Sequence, residues 1–387
     1  MRDALDVRPV PASTRVLQIG PFKTGTTAIQ HAASGRRAEL AARGVVYPGT
    51  GLNHRWGCSA LVGFTWGWTK AEAETAGPRH GQALLREVAQ APRNARIWIS
   101  YERLAVLDEA QAKELCERIG GRVHVLVGLR PLRSLLASEW QQMIKSGRRP
   151  GPLDDWAQRT LDAIGDGTVA RHLDHAGLVE RWAGIVGSDG VTCIALDPEQ
   201  PEMLPRALEG LLGLPEGLLD PPATGALRNR ALTVAELELV GAVAHELREA
   251  GLTRADYMDL VGRGMIPRLL ERQPGPEEAR IRLGAEVAAR AREVDLAAAG
   301  RVRASGVRVV GDLDRYAGVG ADAGPAAEDS AGPSGLVPVE VAVAAVLGAA
   351  EQLRAAWDEA APVAAVRTVR GSLGRRLRRR AAALAVR

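Results

Sequence analysis

The segment Arg15-Val16-Leu17-Gln18-Ile19, followed by Gly20-Pro21-Phe22-Lys23-Thr24-Gly25-Thr26-Thr27, constrains this chain more than any other. An apolar run with strand character passes through a glycine-flanked turn carrying Lys and Thr, and then into a segment with helical spacing. Gly20 and Gly25 permit backbone angles and close approach that a Cβ would obstruct, and the first amides of the helix are unpaired donors at a positive dipole end. An anion is expected there. The spacing is that of a G-x-x-x-x-G-K-[ST] loop, but Thr26 stands where that loop has its lysine, and Lys23 lies inside the turn. A kinase or NTPase needs the lysine after the second Gly, a hydroxyl beside it for Mg²⁺ and an acidic metal residue after a strand, and the last is not found either.

Short apolar runs rich in Val and Ile predict further strands at 96–100, 122–129, 190–196 and 306–310. Between them, apolar residues three and four apart predict helices over 26–43, 82–91, 109–119, 132–145 and 178–186. Strand alternating with helix predicts an α/β fold, a three-layer sandwich around a central parallel sheet, with a helical C-terminal part that opens on the capping box Thr233-Val234-Ala235-Glu236.

A second strand-to-helix junction reads Val123-His124-Val125-Leu126-Val127-Gly128-Leu129-Arg130-Pro131-Leu132, with Ser138 eight residues beyond the arginine. An arginine is a planar, bidentate cation suited to phosphate, and Pro in a first helical turn costs no needed donor. In an open parallel sheet the carboxyl ends of neighbouring strands line one crevice, so two such loops can hold the two phosphate ends of one nucleotide.

In these two motifs the chain resembles the PAPS-dependent sulfotransferases. Their phosphosulfate loop reads G-x-x-K-[TS]-G-[TS]-[TS], which Gly20 to Thr27 match throughout, and Arg130 and Ser138 keep the spacing of the pair that holds the 3′-phosphate. Pro131 directly follows the arginine where the family inserts a residue, and Arg133 is a second candidate for that phosphate. The resemblance implies a P-loop-like fold and PAPS as donor, with PAP as product and no metal. It also implies that Lys23 contacts the phosphosulfate and its bridging oxygen while Thr24, Gly25, Thr26 and Thr27 hold the 5′-phosphate.

Sulfuryl transfer also needs a base on the acceptor. Glu102, just beyond the 96–100 strand, would lie at the same sheet edge as the phosphate sites; the glutamate that some glycan sulfotransferases use follows an equivalent strand. His54, in the Gly-rich stretch Gly51-Leu52-Asn53-His54-Arg55-Trp56, is the other candidate. Trp56, Trp66 and Trp68 cluster nearby, as core or as an acceptor wall. Asn229 and Arg230 open the helical region as caps or nucleotide contacts.

At 387 residues and 46% hydrophobic the chain can bury a large core without staples, and its three cysteines lack metal or disulfide spacing. With no apolar leader at Met1 to Pro9 and no long apolar span, a cytoplasmic protein is expected. The expected organisation is a flexible 1–13, a sulfotransferase domain at 14–316, a linker at 317–338 and a basic helical extension at 339–387. Arg370, Arg375, Arg376, Arg378, Arg379 and Arg380 interleave with Leu373, Leu377 and Leu384 there. That tail is a frayed, solvated terminus or a contact with an anionic membrane surface, a nucleic-acid backbone or an acidic partner; peripheral membrane contact is the functional reading kept, and no specific nucleic-acid partner is expected. The acceptor, a small molecule or a glycan, and the oligomeric state are left open. The rivals are a P-loop kinase or NTPase, and a non-catalytic nucleotide- or membrane-binding relative.

Overall fold

The computed structural model describes residues 7–22, 25–66, 74–166, 171–220, 230–319 and 337–360. These divide into two compact units. The first is built from the chain up to Ile144, Arg148–Ala231 and the stretch beginning at Ala279; the second joins Lys145–Gly147 and Leu232–Glu278 to the helix Val339–Ala360. Residues 232–278 thus cluster with the helix of the expected C-terminal extension.

The first unit carries the strands β1 (Arg15–Ile19), β2 (Val45–Val46), β3 (Thr65–Trp66), β4 (Glu74–Thr75), β5 (Arg96–Ser100), β6 (Val123–Leu129), β7 (Val191–Ala195) and β8 (Arg308–Val310). Six form one sheet in the order β2-β5-β1-β6-β7-β8, every pairing parallel, while β3 and β4 form a small antiparallel pair. The three-layer α/β sandwich is therefore the fold. Side chains alternate across the sheet as the two-residue strand period requires. Leu17, Ile19, Ile97, Ile99, Val125 and Val127 pack on one face, whereas Val16, Trp98, Leu126 and Ile194 pack on the other with Ile29 and Leu208. Both faces being covered explains why the strands read as continuous apolar runs.

The helix expected over 26–43 is two helices, Thr26–Gly35 and Arg37–Ala42, broken at Arg36, which follows Gly35 and leaves helical geometry at φ −116° and ψ 24°. Arg55 and Trp56, at the end of the Gly-rich stretch around His54, open the helix Arg55–Val62, for which no helix was expected and which packs with Pro78–Gln90. Gly57, inside this helix, is at the contact: a Cβ there would come within 2.8 Å of Leu84.

In the second unit the capping box forms as read, with Thr233 Oγ1 accepting from the Glu236 amide at 3.3 Å and Glu236 Oε2 accepting from the Thr233 amide at 2.9 Å. Buried Glu236 is paired with Arg272, which also holds Glu278. The π-helical stretch Met258–Met265 lies so close to Val339–Ala360 that a Cβ on Gly264 would meet the Gly348 carbonyl at 2.8 Å.

Candidate functional site

β1 lies between β5 and β6, with Gln18 in register with Ser100 and Ile19 with Val127. Their carboxyl ends therefore lie side by side, and each delivers one of the segments singled out from sequence: Gly20 onward, Glu102, and Arg130. The chain leaves β1 to one side for β5 and to the other for β6, so this edge is the switch point at which open α/β sheets bind ligands.

Gly25 precedes the first helix in the left-handed region, φ 85° and ψ 6°, and donates no side-chain cap. Among the described residues, its chain neighbours and own helix aside, a Cβ there would meet nothing within 4 Å, so the constraint on this position is the left-handed backbone. Thr26 begins the helix with its side chain buried, and its hydroxyl donates to Glu102 Oε1. Gln30, one turn on, donates through Nε2 to the same oxygen at 3.0 Å and to Ser100 Oγ at 2.9 Å. Thr27 is exposed. The loop after β1 and the carboxylate after β5 are thus brought together. Lys23 and Thr24 lie outside the described residues, as do Trp68, Asn229 and the basic tail; Arg230 donates to the Ala231 carbonyl at 3.0 Å.

Arg130 is half-buried, and burial pulls its guanidinium below the ordinary arginine value. Its Nε donates to Ser134 Oγ at 3.1 Å, and that hydroxyl donates to the Pro131 carbonyl at 3.0 Å. Ser134 was not singled out from the sequence; its spacing four residues beyond Arg130, one helical turn, was the available signal. Ser138 is half-buried one turn further along the Leu132–Lys145 helix.

His54 has a different setting. It is buried beneath β5, accepting at Nδ1 from the Ser100 amide at 2.9 Å while Nε2 lies 3.0 Å from the Pro48 carbonyl. These partners assign the neutral Nε2–H tautomer, and burial lowers its pKa to about 4. Such an imidazole fixes the loop behind Asn53, which donates to Gln30 Oε1 at 3.3 Å. His124 is likewise buried, 2.9 Å from Thr192 Oγ1.

A proton acceptor that sequence reasoning passed over is His172, whose Nε2 lies 2.6 Å from Glu139 Oε1. Its ring meets that of Phe22, the residue before Lys23, edge-on at 5.2 Å. Glu139 follows Ser138 in the helix and His172 touches Phe22, so the pair adjoins both motifs singled out from sequence; no local pattern joins positions 139 and 172. Trp56 and Trp66 pack edge-on at 5.1 Å, with the Arg55 guanidinium 4.4 Å over Trp56.

Beyond β6, β7 and β8 lies a cavity of about 1330 Å³ whose walls include Pro131, Arg133, Asp197, Arg206, Arg315 and Tyr316. Ion pairs brace it: Arg206 to Glu209 and Asp220 at 2.7 and 2.6 Å, and Arg315 to Asp197 at 3.0 Å. Among the described residues no group of three or more His, Cys, Asp or Glu side chains is placed to hold a metal, and no helix is long and apolar enough to cross a membrane.

No protein-family model matches the chain. No curated protein matches it either. A solved structure that it resembles is a sulfotransferase from Alicyclobacillus acidocaldarius, 14% identical, with an alignment covering 63% of this chain and 96% of that one at a TM-score of 0.36.

Proposed function

We propose that this protein is a sulfotransferase that moves a sulfuryl group from PAPS to a hydroxyl or amine of a small molecule or glycan. The convergence of the β1, β5 and β6 ends carries this reading, because it gathers a phosphate turn, a carboxylate and an arginine at one sheet edge. The left-handed turn at Gly25 fits a 5′-phosphate held by backbone amides, and Arg130, its Nε fixed by Ser134, fits a 3′-phosphate. PAPS supplies, when bound, an activated sulfuryl group on a phosphosulfate bridge.

The chain's own residues divide the remaining work. Lys23, by its place in the motif, neutralises charge on the bridging oxygen. Glu102 has Oε1 engaged by Thr26 and Gln30, which leaves Oε2 to take the acceptor proton and fixes the carboxylate plane for that task. His172, backed by Glu139, is the second group able to take a proton beside the same loop. The acidic and basic walls of the cavity beyond β6 leave the acceptor's charge open.

Calorimetry of PAP against AMP and ATP, without added metal, tests the reading. A PAP affinity at least about tenfold above both supports a site that counts the 3′-phosphate, a preference of about 1.4 kcal/mol. Equal affinities, or tight ATP binding that requires Mg²⁺, overturn it in favour of a generic anion turn or an NTPase.

A further inference from the structure

Behind the Arg130 turn lies a buried polar chain that packing alone does not call for. The Leu132 amide opens the Leu132–Lys145 helix and donates to Asp295 Oδ2 at 2.9 Å. Asp295 comes from the distant helix Ala285–Ala304 and is buried. Its other oxygen accepts from the Tyr316 hydroxyl at 2.9 Å, and that hydroxyl lies 2.5 Å from His175 Nδ1. All three side chains are buried, and His175 Nε2 has no hydrogen-bond partner among the described residues. The surroundings of this helix start are apolar, with Leu132, Leu135, Leu136, Val287 and Ala291 in one cluster.

A carboxylate buried in such surroundings is costly, and an apolar triplet of similar volume would pack without that cost. What Asp295 does that an apolar residue cannot is bind an amide two residues from Arg130. It ties the start of the helix to a second helix from inside, and so fixes the direction in which the preceding Pro131 and Arg130 leave β6. The Tyr316 hydroxyl and the His175 ring fix the carboxylate in turn. Burial pushes Asp295 up to about 7 and His175 down to about 3, as expected of groups chosen for geometry at the expense of solvation.

We infer that Asp295, held by Tyr316 and His175, is the positioning residue that sets the Arg130 turn to discriminate a nucleotide bearing a 3′-phosphate from one lacking it. The inference rests on the donor assignment above. It concerns selectivity and not the sheet's stability, so the readout is a ratio of affinities.

Calorimetric affinities for PAP and AMP are measured on the full chain and on Asp295→Ala, Asp295→Asn and Tyr316→Phe, with near-ultraviolet circular dichroism as the check of folding. Asp295→Ala is expected to lower PAP affinity about tenfold or more, the loss of one charge-assisted contact, with AMP affinity within about twofold. Asp295→Asn keeps an oxygen for the Leu132 amide and restores most of the PAP preference. Tyr316→Phe removes one hydroxyl and reduces the preference about threefold; it decides the matter should Asp295→Ala not fold. A wild-type preference for PAP that survives unchanged in Asp295→Ala and Tyr316→Phe overturns this inference alone. A wild-type protein without that preference overturns the donor assignment and the inference with it.

Discussion

Gly25→Ala separates the backbone's contribution to the anion turn from that of its side chains. Gly25 has φ 85°, where an L-residue costs about 1–2 kcal/mol, and among the described residues beyond its chain neighbours and own helix the added methyl would meet no atom within 4 Å, so the conformational term dominates. The alanine also restricts the unfolded chain, which offsets about 0.4–1 kcal/mol. The net loss of stability is therefore about 1 kcal/mol, a fall of about 1–3 °C in the thermal midpoint for a chain of this size. Binding pays more than stability, because a residue that relaxes towards right-handed geometry re-aims the amides at the start of the helix. Each amide-to-phosphate bond is worth about 1.5–3 kcal/mol, so loss of one weakens PAP about 10- to 100-fold. Gly25→Asn, which tolerates the left-handed region better, should fall between alanine and wild type. Differential scanning fluorimetry and PAP calorimetry on the three proteins read both effects. Wild-type PAP affinity in Gly25→Ala would refute the assignment of this turn as the 5′-phosphate cradle, whatever the melting shift.

Arg130→Ala should weaken PAP by about 2–4 kcal/mol while sparing AMP, because a bidentate charge-assisted contact is lost; equal losses for both nucleotides, by calorimetry, would point to a collapsed turn. Glu102→Gln should leave PAP affinity within about threefold and cut PAPS turnover about 10²- to 10⁴-fold, whereas the reverse pattern, with His172→Gln taking the turnover loss, would assign the base to the His172–Glu139 pair. Acid should destabilise the fold. His54 and His124 have folded pKa values of about 4 and His175 of about 3, all below the ordinary 6.5, so their contribution is complete above about pH 6.5 and is lost as pH falls towards 4. Asp295, raised to about 7, has the opposite sign and offsets part of that loss between about pH 4 and 7. Chemical denaturation from pH 4 to 8 measures the slope, and His54→Asn should reduce it by roughly one proton; an unchanged slope would contradict the buried neutral imidazole.

How much of this was legible in the sequence follows from how local the determinants are. The strands Arg15–Ile19 and Arg96–Ser100 were read to the residue because a sheet covered on both faces writes itself as a short, mostly apolar run, here broken only by Gln18 between the flanking Arg and Ser positions. The parallel-sheet rule for strand ends put Glu102 at the same sheet edge as the phosphate motifs, but the pairing of these two strands and the Thr26–Glu102 hydrogen bond were not legible, because they join residues 76 apart in the chain. The two-residue strand Val45–Val46 has too few residues to show a period, and the Arg55–Val62 helix was hidden in part by Gly57, which serves packing against Leu84. His54 looked like a loop base because it lies in a Gly-rich stretch; only the strand beside it, through the Ser100 amide, shows it as a buried anchor. Asp295 and Leu132 are 163 residues apart, and no spacing rule joins them.

The close approach of Gly264 to Gly348 has a consequence for the order of assembly. The helical part of the second unit is Leu232–Glu278 and a helix that begins at Val339, with sheet-bearing chain between them. During synthesis the earlier part must wait for the later, since loop closure over so long an interval precedes any reward from packing. A nascent chain stopped before residue 339 would hold Gly264 with no helix backbone to receive it. Larger side chains at 264 or 348 would leave the finished chain in much the same position, with synthesis complete and the second unit unclosed.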